Sequence, residues 1–417
     1  MPSSPSVPSV LRSTLPAAAS LAALAALAAC ADPSRSVAPT GPNAERAAAA
    51  PAAQAQGDVI PGRYIVVFRD GRAGVSTAAE AQDVDARVQA KLARHRGRLR
   101  HAYQYAIKGF AAELDSAAVR GLRADLDVAY VEPDRVVRAV ATQSSPPWGL
   151  DRIDQRALPL SGSYTYTSTG AGVRAYIIDT GIETGHPQFG GRASAVYDAV
   201  GDGQNGQDCN GHGTHVAGTV GASTYGVAKG AYLRAVRVLD CAGSGSNSGV
   251  IAGVNWVAQN HIKPAVANMS LGGGASQAVD DAVNALASAG VFIAVAAGNE
   301  NQDACNTSPA RAANATTVAA STIADAKASF SNFGGCVDLY APGLNITSTW
   351  LNSGTNTISG TSMATPHVTG VAALYKAARG DASFSTIRSW LTTNATANVI
   401  TGNPSGTPNR LLFKSTL

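Results

Sequence analysis

The sequence predicts an α/β protein in which a mostly parallel sheet is flanked by helices, preceded by a smaller α+β module. Beyond residue 141, nearly continuous apolar runs, typical of strands covered on both faces, alternate with stretches of helical spacing. Such alternation favours parallel strands joined by helical crossovers. The 417 residues include 43 glycines and only 14% charged residues, which suits a turn-rich globular chain of two or more domains.

The first thirty residues are typical of an export signal rather than of a folded element. Arg12 precedes an apolar, alanine-rich run at 15–29 that is too short for a membrane span and suits a secretory signal. The run ends in Leu27-Ala28-Ala29-Cys30, which resembles the lipobox of bacterial lipoproteins. Cys30 is therefore either acylated or lost in ordinary signal cleavage. In both cases the chain leaves the cytoplasm, and a lipid on Cys30 is its only expected membrane attachment.

Residues 31–57 predict a disordered linker, because they are rich in Ala and Pro with few large apolar residues. Residues 58–140 predict a small domain. Strand patterns occur at 63–68, 105–114 and 128–134, and helical spacing occurs at 82–95 and 116–123. The order β-α-β-β-α-β predicts a ferredoxin-like fold. By itself, such a module suits any small binding domain.

Residues 141–417 predict the parallel sheet. Strand patterns lie at 173–178, 233–239, 265–268, 292–296 and 317–320, and helical patterns lie between them at 213–220, 248–260 and 275–289. Ligands of parallel sheets collect at the carboxyl ends of the strands. Candidate functional residues should therefore directly follow these strands.

Two polar residues occupy such positions. Asp179 directly follows an apolar strand, although turn-capping is the common role for an aspartate there. His212 opens a helix between two glycines. His215 lies three residues further on, but no glutamate accompanies the pair in the His-Glu-x-x-His manner, so zinc is not expected. We interpret His215 as a packed, hydrogen-bonded neighbour.

The stretch Gly360-Thr361-Ser362-Met363-Ala364-Thr365-Pro366-His367-Val368 predicts a tight turn that opens a helix over 363–379. Pro366 is tolerated in a first turn, where its missing N–H has no partner to lose. Ser362 thus stands where free N–H groups and the positive end of the helix dipole favour negative charge. A simple N-cap is the alternative role. With Asp179 and His212, however, it completes the acid, base and nucleophile that acyl transfer needs.

Three motifs carry a resemblance to a known family: Ile177-Ile178-Asp179-Thr180-Gly181, Asn210-Gly211-His212-Gly213-Thr214-His215-Val216-Ala217-Gly218 and the serine stretch above. In this order they are similar to those of the subtilisin-like serine proteases, in the proteinase K branch and its aqualysin-like members. The likeness covers residues 141–417 and, more weakly, the preceding module. It implies that Asp179 orients the base, His212 is the general base and acid, Ser362 is the nucleophile, and the Asn299 amide binds the oxyanion.

The resemblance also implies a broad-specificity endopeptidase that binds extended polypeptides by strand addition. The Gly-rich segments 243–246 and 270–274 resemble the edge strands between which the family holds an extended peptide. Flexible loops are the alternative for 243–246. The segments expected to form the pocket carry no charged residue. Apolar or aromatic side chains should therefore be preferred before the cut bond. For the same reason, a processing protease that cuts after basic pairs is disfavoured. The residues expected to contact substrate are Gly243, Ser244, Gly245, Ser270, Leu271, Gly272, Ala296 and Gly298.

Four cysteines besides Cys30 allow three pairings. The resemblance implies Cys209–Cys241 and Cys305–Cys336; a free thiol at Cys209, near the base, is the alternative.

Structural Ca²⁺ is the cofactor that the resemblance implies. One expected set is Asp338 with the backbone carbonyls of Ala313 and Ala315. A second set, Asp151, Asp154 and Gln155, shares one helical turn, so its oxygens can converge on a hard cation. Solvated surface acids are the alternative for the second set.

The module at 58–140 resembles the inhibitory propeptide of the family, and we expect self-cleavage near Val140–Ala141. Little sequence follows Leu412, so no C-terminal pro-region is expected. The expected partners are polypeptide substrates and the chain's own propeptide, with the enzyme a secreted monomer. No basic stripe with interleaved aromatic residues appears, which argues against nucleic acid. A catalytically silent, surface-tethered scaffold is the rival class, and the intact set of catalytic residue types argues against it.

Overall fold

The computed structural model describes residues 59–72, 78–135 and 141–417. The expected export signal, Cys30 and the linker lie outside these ranges, as does Val140 at the expected cleavage site. None of the helices in the described ranges has both the length and the apolar character needed to cross a membrane.

The first module is a four-stranded antiparallel sheet with two helices. Its elements are β1 (Val59–Arg72), α1 (Ala78–His95), β2 (Arg98–Tyr103), β3 (Ile107–Glu113), α2 (Ser116–Arg123) and β4 (Val128–Arg135). The strand order is β2-β3-β1-β4, so β1 pairs with both β3 and β4. Phe68, Phe110 and Leu122 are fully buried between sheet and helices. The ferredoxin-like order β-α-β-β-α-β expected from the sequence is therefore confirmed, and β2 is the strand for which no sequence pattern was identified.

Residues 141–417 contain the remaining elements. The strands are β5 (Ala141–Ser144), β6 (Ser163–Tyr166), β7 (Arg174–Asp179), β8 (Ala193–Asp198), β9 (Tyr232–Arg237), β10 (Ala265–Met269), β11 (Gly273–Gly274), β12 (Phe292–Ala296), β13 (Thr307–Ser308), β14 (Thr316–Ser321), β15 (Leu339–Pro342), β16 (Ile346–Trp350), β17 (Gly354–Ile358), β18 (Thr396–Ala397) and β19 (Arg410–Leu411). The helices are α3 (Trp148–Asp154), α4 (His212–Gly221), α5 (Asn247–Asn260), α6 (Gln277–Ser288), α7 (Thr361–Arg379) and α8 (Phe384–Asn394), with 3₁₀ turns at Pro187–Phe189 and Ala304–Asn306.

A central sheet organises this part of the chain. Its order is β18-β19-β15-β14-β12-β10-β7-β9-β8, and every neighbouring pair from β8 to β19 is parallel. Only β18 runs antiparallel to its neighbour. The strand order departs in both directions from β7, towards β9 and towards β10. Such a switch point leaves a crevice beyond the carboxyl ends of the strands, which is where ligands bind in open parallel sheets.

Helix α7 is buried along most of its length and packs against β10, β12, β14 and α4. Gly370 allows this close packing, since an added Cβ would lie 2.5 Å from the Cβ of Val227. Pro366 is the sixth residue of α7 and lies past the first turn, where the sequence had placed it, so the Ser362 carbonyl has no N–H donor from Pro366 and accepts a hydrogen bond from Ser270 Oγ instead. The first turn of α7, with Ser362, is thereby held inside the protein at a defined place.

Two disulfides join Cys209 to Cys241 and Cys305 to Cys336, the pairing that the resemblance implied. The first links the segment before α4 to the loop after β9. It therefore braces the chain that leads into His212.

Candidate active site

Asp179 and His212 meet at the switch point of the sheet. Asp179 is the last residue of β7 and has no exposed surface. Its Oδ1 lies 2.7 Å from the Nδ1 of His212 and also accepts a hydrogen bond from the Thr180 amide at 2.8 Å. Its Oδ2 has no partner among the described residues. Since a carboxylate only accepts, Nδ1 of His212 is the donor, which leaves Nε2 free to act as a base.

His212 is the first residue of α4, and its side chain remains 25% exposed. The turn before it requires glycine. Gly211 has φ +106°, and a Cβ there would lie 2.5 Å from the ring of Trp350. Burial lowers the pKa of His212, but the charge of Asp179, its hydrogen bond and the charge of Asp208 outweigh that effect, so the pKa is raised.

A second carboxylate, which the sequence analysis did not single out, joins these two elements. Asp208 accepts hydrogen bonds from the Thr180 hydroxyl at 2.9 Å and from the Gly211 amide at 2.9 Å. It also accepts from the amide and hydroxyl of Thr214, at 2.9 and 2.6 Å. Asp208 thus ties the end of β7 to the first turn of α4. An acid just before a helix is a recognisable N-terminal signal, and here it stands four residues before the histidine.

The buried guanidinium of Arg237 reinforces this corner. It donates to the Thr180 carbonyl at 3.2 Å and pairs with Asp202 and Asp198 at 2.5 and 3.1 Å. Its Nη2 also lies 3.5 Å from the sulfur of Cys209. Strand β9, the disulfide and the turn after β7 therefore support one another.

His215 and His367 are structural residues. His215 is buried with Nε2 3.0 Å from the Ile346 carbonyl, and burial lowers its pKa to about 4. His367 is buried with Nδ1 2.9 Å from the Met363 carbonyl, and burial likewise lowers its pKa to about 4. Both histidines are therefore neutral near pH 7 and serve packing, as expected of His215.

Ser362 is the second residue of α7. Its Oγ donates to the Ser270 carbonyl at 3.1 Å, and no hydrogen bond links it to His212 in the part of the chain that the structure describes. The backbone of Ser362 is held in place by Ser270, whose Oγ donates to the Ser362 carbonyl at 2.7 Å. The same Oγ accepts from the side-chain NH₂ of Asn268 at 2.9 Å.

Asn299 and the Ser362 amide flank one point next to Gly360. A Cβ on Gly360 would lie 3.6 Å from the Ser362 nitrogen and 3.7 Å from Asn299 Nδ2. The Oδ1 of Asn299 accepts from the amide and hydroxyl of Thr361, at 2.8 and 3.0 Å. This fixes the side-chain orientation and leaves the NH₂ group as the free donor. The Ser362 nitrogen and Asn299 Nδ2 therefore both lie within 3.7 Å of one point beside Gly360.

Asn332, another residue that the sequence analysis missed, shapes the loop before Asn299. Its Nδ2 donates to the Ala297 carbonyl at 2.9 Å, and its Oδ1 accepts from the Glu300 amide at 3.0 Å. Gly298, with φ +103°, leaves it space, since a Cβ there would lie 2.2 Å from Asn332 Nδ2. A lone buried asparagine carries no sequence signal that distinguishes it from turn asparagines.

A cleft of about 530 Å³ lies in front of His212. No aspartate, glutamate, lysine or arginine lines it. Ala296 and Gly298 do not line it; Ala296 is the last residue of β12, and Gly298 directly precedes Asn299. Residues 243–246 are not a strand, and Ser246 instead caps α5 by accepting from the Gly249 amide. The expected substrate contacts that do line the cleft are Gly243, Ser244, Gly245, Ser270, Leu271 and Gly272.

The first expected calcium set does not fit the ion as it stands. The carboxylate of Asp338 accepts from Arg388 through Oδ1 and from the Thr317 amide through Oδ2. The carbonyl of Ala313 accepts from the same guanidinium at 2.9 Å. The oxygens of Asp338 and Ala313 therefore already accept hydrogen bonds from the protein. Ala315, two residues after Ala313, is buried.

The second expected set is occupied in the same way. The oxygens of Asp151 accept from the Ser161 and Gly162 amides at 3.0 and 2.7 Å. Asp154 accepts from Thr165 and pairs with the buried Lys414 ammonium at 3.0 Å, and the Gln155 Oε1 accepts from the Ser161 amide at 2.8 Å. Within the described ranges, no group of three or more His, Cys, Asp or Glu side chains could hold a metal. No step of a reaction is therefore assigned to calcium.

Comparison with known proteins adds independent findings. The subtilase family model matches residues 170–411, and the peptidase inhibitor I9 model matches residues 63–139. An extracellular serine proteinase of Thermus sp. is 55% identical over 85% of this chain and 90% of its own length. The alkaline serine exoprotease A of Vibrio alginolyticus is 48% identical over 86% of this chain and 68% of its own length. A solved structure, of a cold adapted subtilisin-like serine proteinase, is 54% identical with a TM-score of 0.64, covering 65% of this chain and 99% of the other.

Proposed function

We propose that this chain, which belongs to the subtilase family and is a serine endopeptidase with an I9 propeptide, uses Asp179, His212 and Ser362 as its catalytic triad. The observation that carries the proposal is the short Asp179–His212 contact at the carboxyl edge of the sheet. It selects the tautomer that a base needs, with the proton on Nδ1 and the lone pair on Nε2. The placement of Ser362 in the first turn of α7 supports its role as nucleophile.

Proton transfer runs between Ser362 and His212. In the proposed first step the serine hydroxyl turns from the Ser270 carbonyl towards His212, gives its proton to Nε2, and Oγ bonds to the substrate carbonyl carbon. Asp179 stabilises the imidazolium formed. His212 then passes the proton to the leaving amine as the C–N bond breaks. A water molecule, deprotonated by His212, next attacks the acyl-enzyme and releases Ser362 with its proton restored.

The oxyanion is stabilised by two donors in this proposal, the Ser362 backbone N–H and the Asn299 side-chain NH₂. Both flank the same point beside Gly360. Because Thr361 holds the Asn299 oxygen, the amide is oriented before substrate arrives. Such preorganised donors stabilise the transition state more than the ground state.

Substrates are extended polypeptides that lie in the cleft in front of His212. Backbone groups of 243–245 and of Ser270, Leu271 and Gly272 supply hydrogen bonds that read no side chain, so specificity is broad. Ala296 and Gly298 act indirectly, by carrying Asn299. The absence of charged lining residues supports a preference for apolar or aromatic side chains before the cut bond, and it disfavours cleavage after basic pairs.

The chain is proposed to be made as a self-processing zymogen. Residues 58–140, which include the I9 match, serve as propeptide, and residues 141–417 form the mature enzyme. Cleavage near Val140–Ala141 separates the two. Residues 1–30 direct export, with 31–57 as linker, and the extracellular proteinase of Thermus sp. supports secretion. A lipid on Cys30 is the only membrane attachment proposed.

The test uses Ser362→Ala and a matched control, Ser389→Ala, at an exposed serine of α8. Both chains are produced in a protease-free host and treated with a fluorophosphonate probe. We expect labelling and processing in the parent and the control, and an unlabelled, full-length product for Ser362→Ala. Normal maturation of Ser362→Ala would refute self-processing, and absence of label in the folded parent would favour a silent scaffold.

A further inference from the structure

We infer that Arg388 is a built-in substitute for a cation at Asp338, so that the fold at this site is stable without calcium. The resemblance implied a calcium ion held by Asp338 with carbonyls of the 313–315 loop. In this chain a guanidinium from α8 stands on the Asp338 carboxylate and the Ala313 carbonyl instead.

The Asp338 carboxylate and the Ala313 carbonyl already accept hydrogen bonds from several protein donors. Arg388 Nε and Nη2 lie 2.9 and 2.7 Å from Asp338 Oδ1, and Nη1 lies 2.9 Å from the Ala313 carbonyl. Asp338 Oδ2 accepts from the Thr317 amide at 2.9 Å. The planar guanidinium thus links three separate pieces of chain, namely the residue before β15, the 313–315 loop and α8. A calcium ion would join the first two in the same way.

Charge also disfavours an added divalent ion. The positive charges of both Arg388 and Arg410 act on the Asp338 carboxylate. Asp338 is the only carboxylate that accepts from Arg388 in the described ranges. One carboxylate therefore already faces two cations, and a calcium ion would have to displace three guanidinium hydrogen bonds.

The second expected calcium set follows the same rule independently. Lys414 is 2% exposed, and its ammonium lies 3.0 Å from Asp154 Oδ1. Asp151 and Gln155 are held by amides of the turn at 161–162. At both positions, a protein cation or N–H donors occupy the oxygens that were expected from the sequence to bind calcium.

The experiment compares Arg388→Ala with the parent chain, both carrying Ser362→Ala so that self-digestion cannot interfere. Arg311→Ala is the matched control, because Arg311 also pairs with a buried aspartate, Asp280, at 2.7 Å and is similarly exposed. Bound calcium is counted by equilibrium dialysis against CaCl₂, and thermal midpoints are measured in CaCl₂ and in EGTA. Neither readout depends on peptidase activity, so failure of this inference is distinct from failure of the proposed function.

We expect Arg388→Ala to bind one more calcium ion per molecule than the parent. Its midpoint should fall in EGTA and recover by about 5 °C in saturating CaCl₂, because a ligand that binds only the folded state stabilises it. Arg311→Ala should show no added calcium. Equal calcium counts in parent and Arg388→Ala would overturn the inference. If Arg388→Ala does not fold, Arg388→Gln, which keeps N–H donors but removes the charge, is judged by the same count.

Discussion

Two buried aspartates lie at opposite ends of the strands of the central sheet, and the side chains that they pair with differ chemically. Asp179 ends β7 at the carboxyl edge, whereas Asp338 directly precedes β15 at the amino edge. Asp179 faces an imidazole, which can change its charge, and one of its oxygens has no hydrogen-bond partner among residues 59–72, 78–135 and 141–417. Asp338 faces a guanidinium, which stays charged, and both its oxygens are bonded. In the proposed mechanism, Asp179 therefore acts in the chemistry beside a partner that titrates, whereas Asp338 contributes to stability beside a partner that stays charged.

Substitution of each aspartate by asparagine gives the largest contrast. Asp179→Asn should lower kcat by about 10⁴-fold, because the amide favours the wrong tautomer of His212 and no longer stabilises its charge. Asp338→Asn should leave kcat within about twofold, since it touches no reacting group. Steady-state hydrolysis of a chromogenic peptide measures both. Comparable losses in the two variants would remove the distinction between the two edges of the sheet.

Asn299→Ala should produce the next largest loss. The proposed oxyanion donor disappears, while cleft residues that bind the substrate backbone stay in place. We expect kcat to fall by about 10²- to 10³-fold with little change in KM. Asn306→Ala, at an exposed position of the nearby 3₁₀ turn, is the control and should retain parental kinetics. A change confined to KM would assign Asn299 to substrate binding instead.

Asp208→Asn tests whether the second carboxylate only positions the base or also acts on its charge. The groups that act on the pKa of His212 are Asp179 and Asp208, which both raise it. His215 lies one turn along the helix and is neutral. In the proposed mechanism His212 must be neutral to act as the base, so activity should rise as the pH increases through this pKa. Removal of one negative charge lowers the pKa, and the acid limb of kcat/KM should move down by about 0.5 pH unit.

Asp208→Asn should also reduce kcat about tenfold, because the turn after β7 and the start of α4 lose a shared acceptor. Asp281→Asn, on the exposed face of α6, is the control for charge and should move neither quantity. A fall in kcat without a shift of the acid limb would make Asp208 a purely mechanical support.

The carboxyl edge was easier to predict from sequence than the amino edge. Asp179, His212 and Ser362 each follow a strand or open a helix beside glycine. This local pattern can be recognised in the sequence without knowing which residues lie nearby in the fold. Strands β7, β9, β10, β12 and β14 were predicted because apolar residues dominate these stretches of the sequence. Strand β8 was missed, since all its residues are only half-buried, and so was β15, which has four residues and ends in Pro342.

Contacts between distant segments were not predictable in this way. Asp208 and Asn332 act through buried hydrogen bonds to turns whose shape no periodicity reveals. Helix α8 was missed as well, although Ser383 caps it by accepting from the Thr386 amide. Without that helix the sequence placed no cation near Asp338, and the expectation of calcium there rested on the resemblance alone. The partner of a buried charge can be known only once the fold has brought the two together.

The smallest expected effect is on stability, from Asp338→Asn. Arg388 is about one-third exposed, so its charge can be solvated by water when the carboxylate is lost. Burial raises the pKa of Asp338, which shows that desolvation of the carboxyl opposes the ion pair. We therefore expect the thermal midpoint to fall by only about 2–4 °C, as loss of about 1 kcal/mol would produce in a domain of this size. Calorimetry of the Ser362→Ala chain with and without Asp338→Asn measures the change. A fall of more than about 10 °C would mean that the amino edge depends on this pair far more than its exposure indicates.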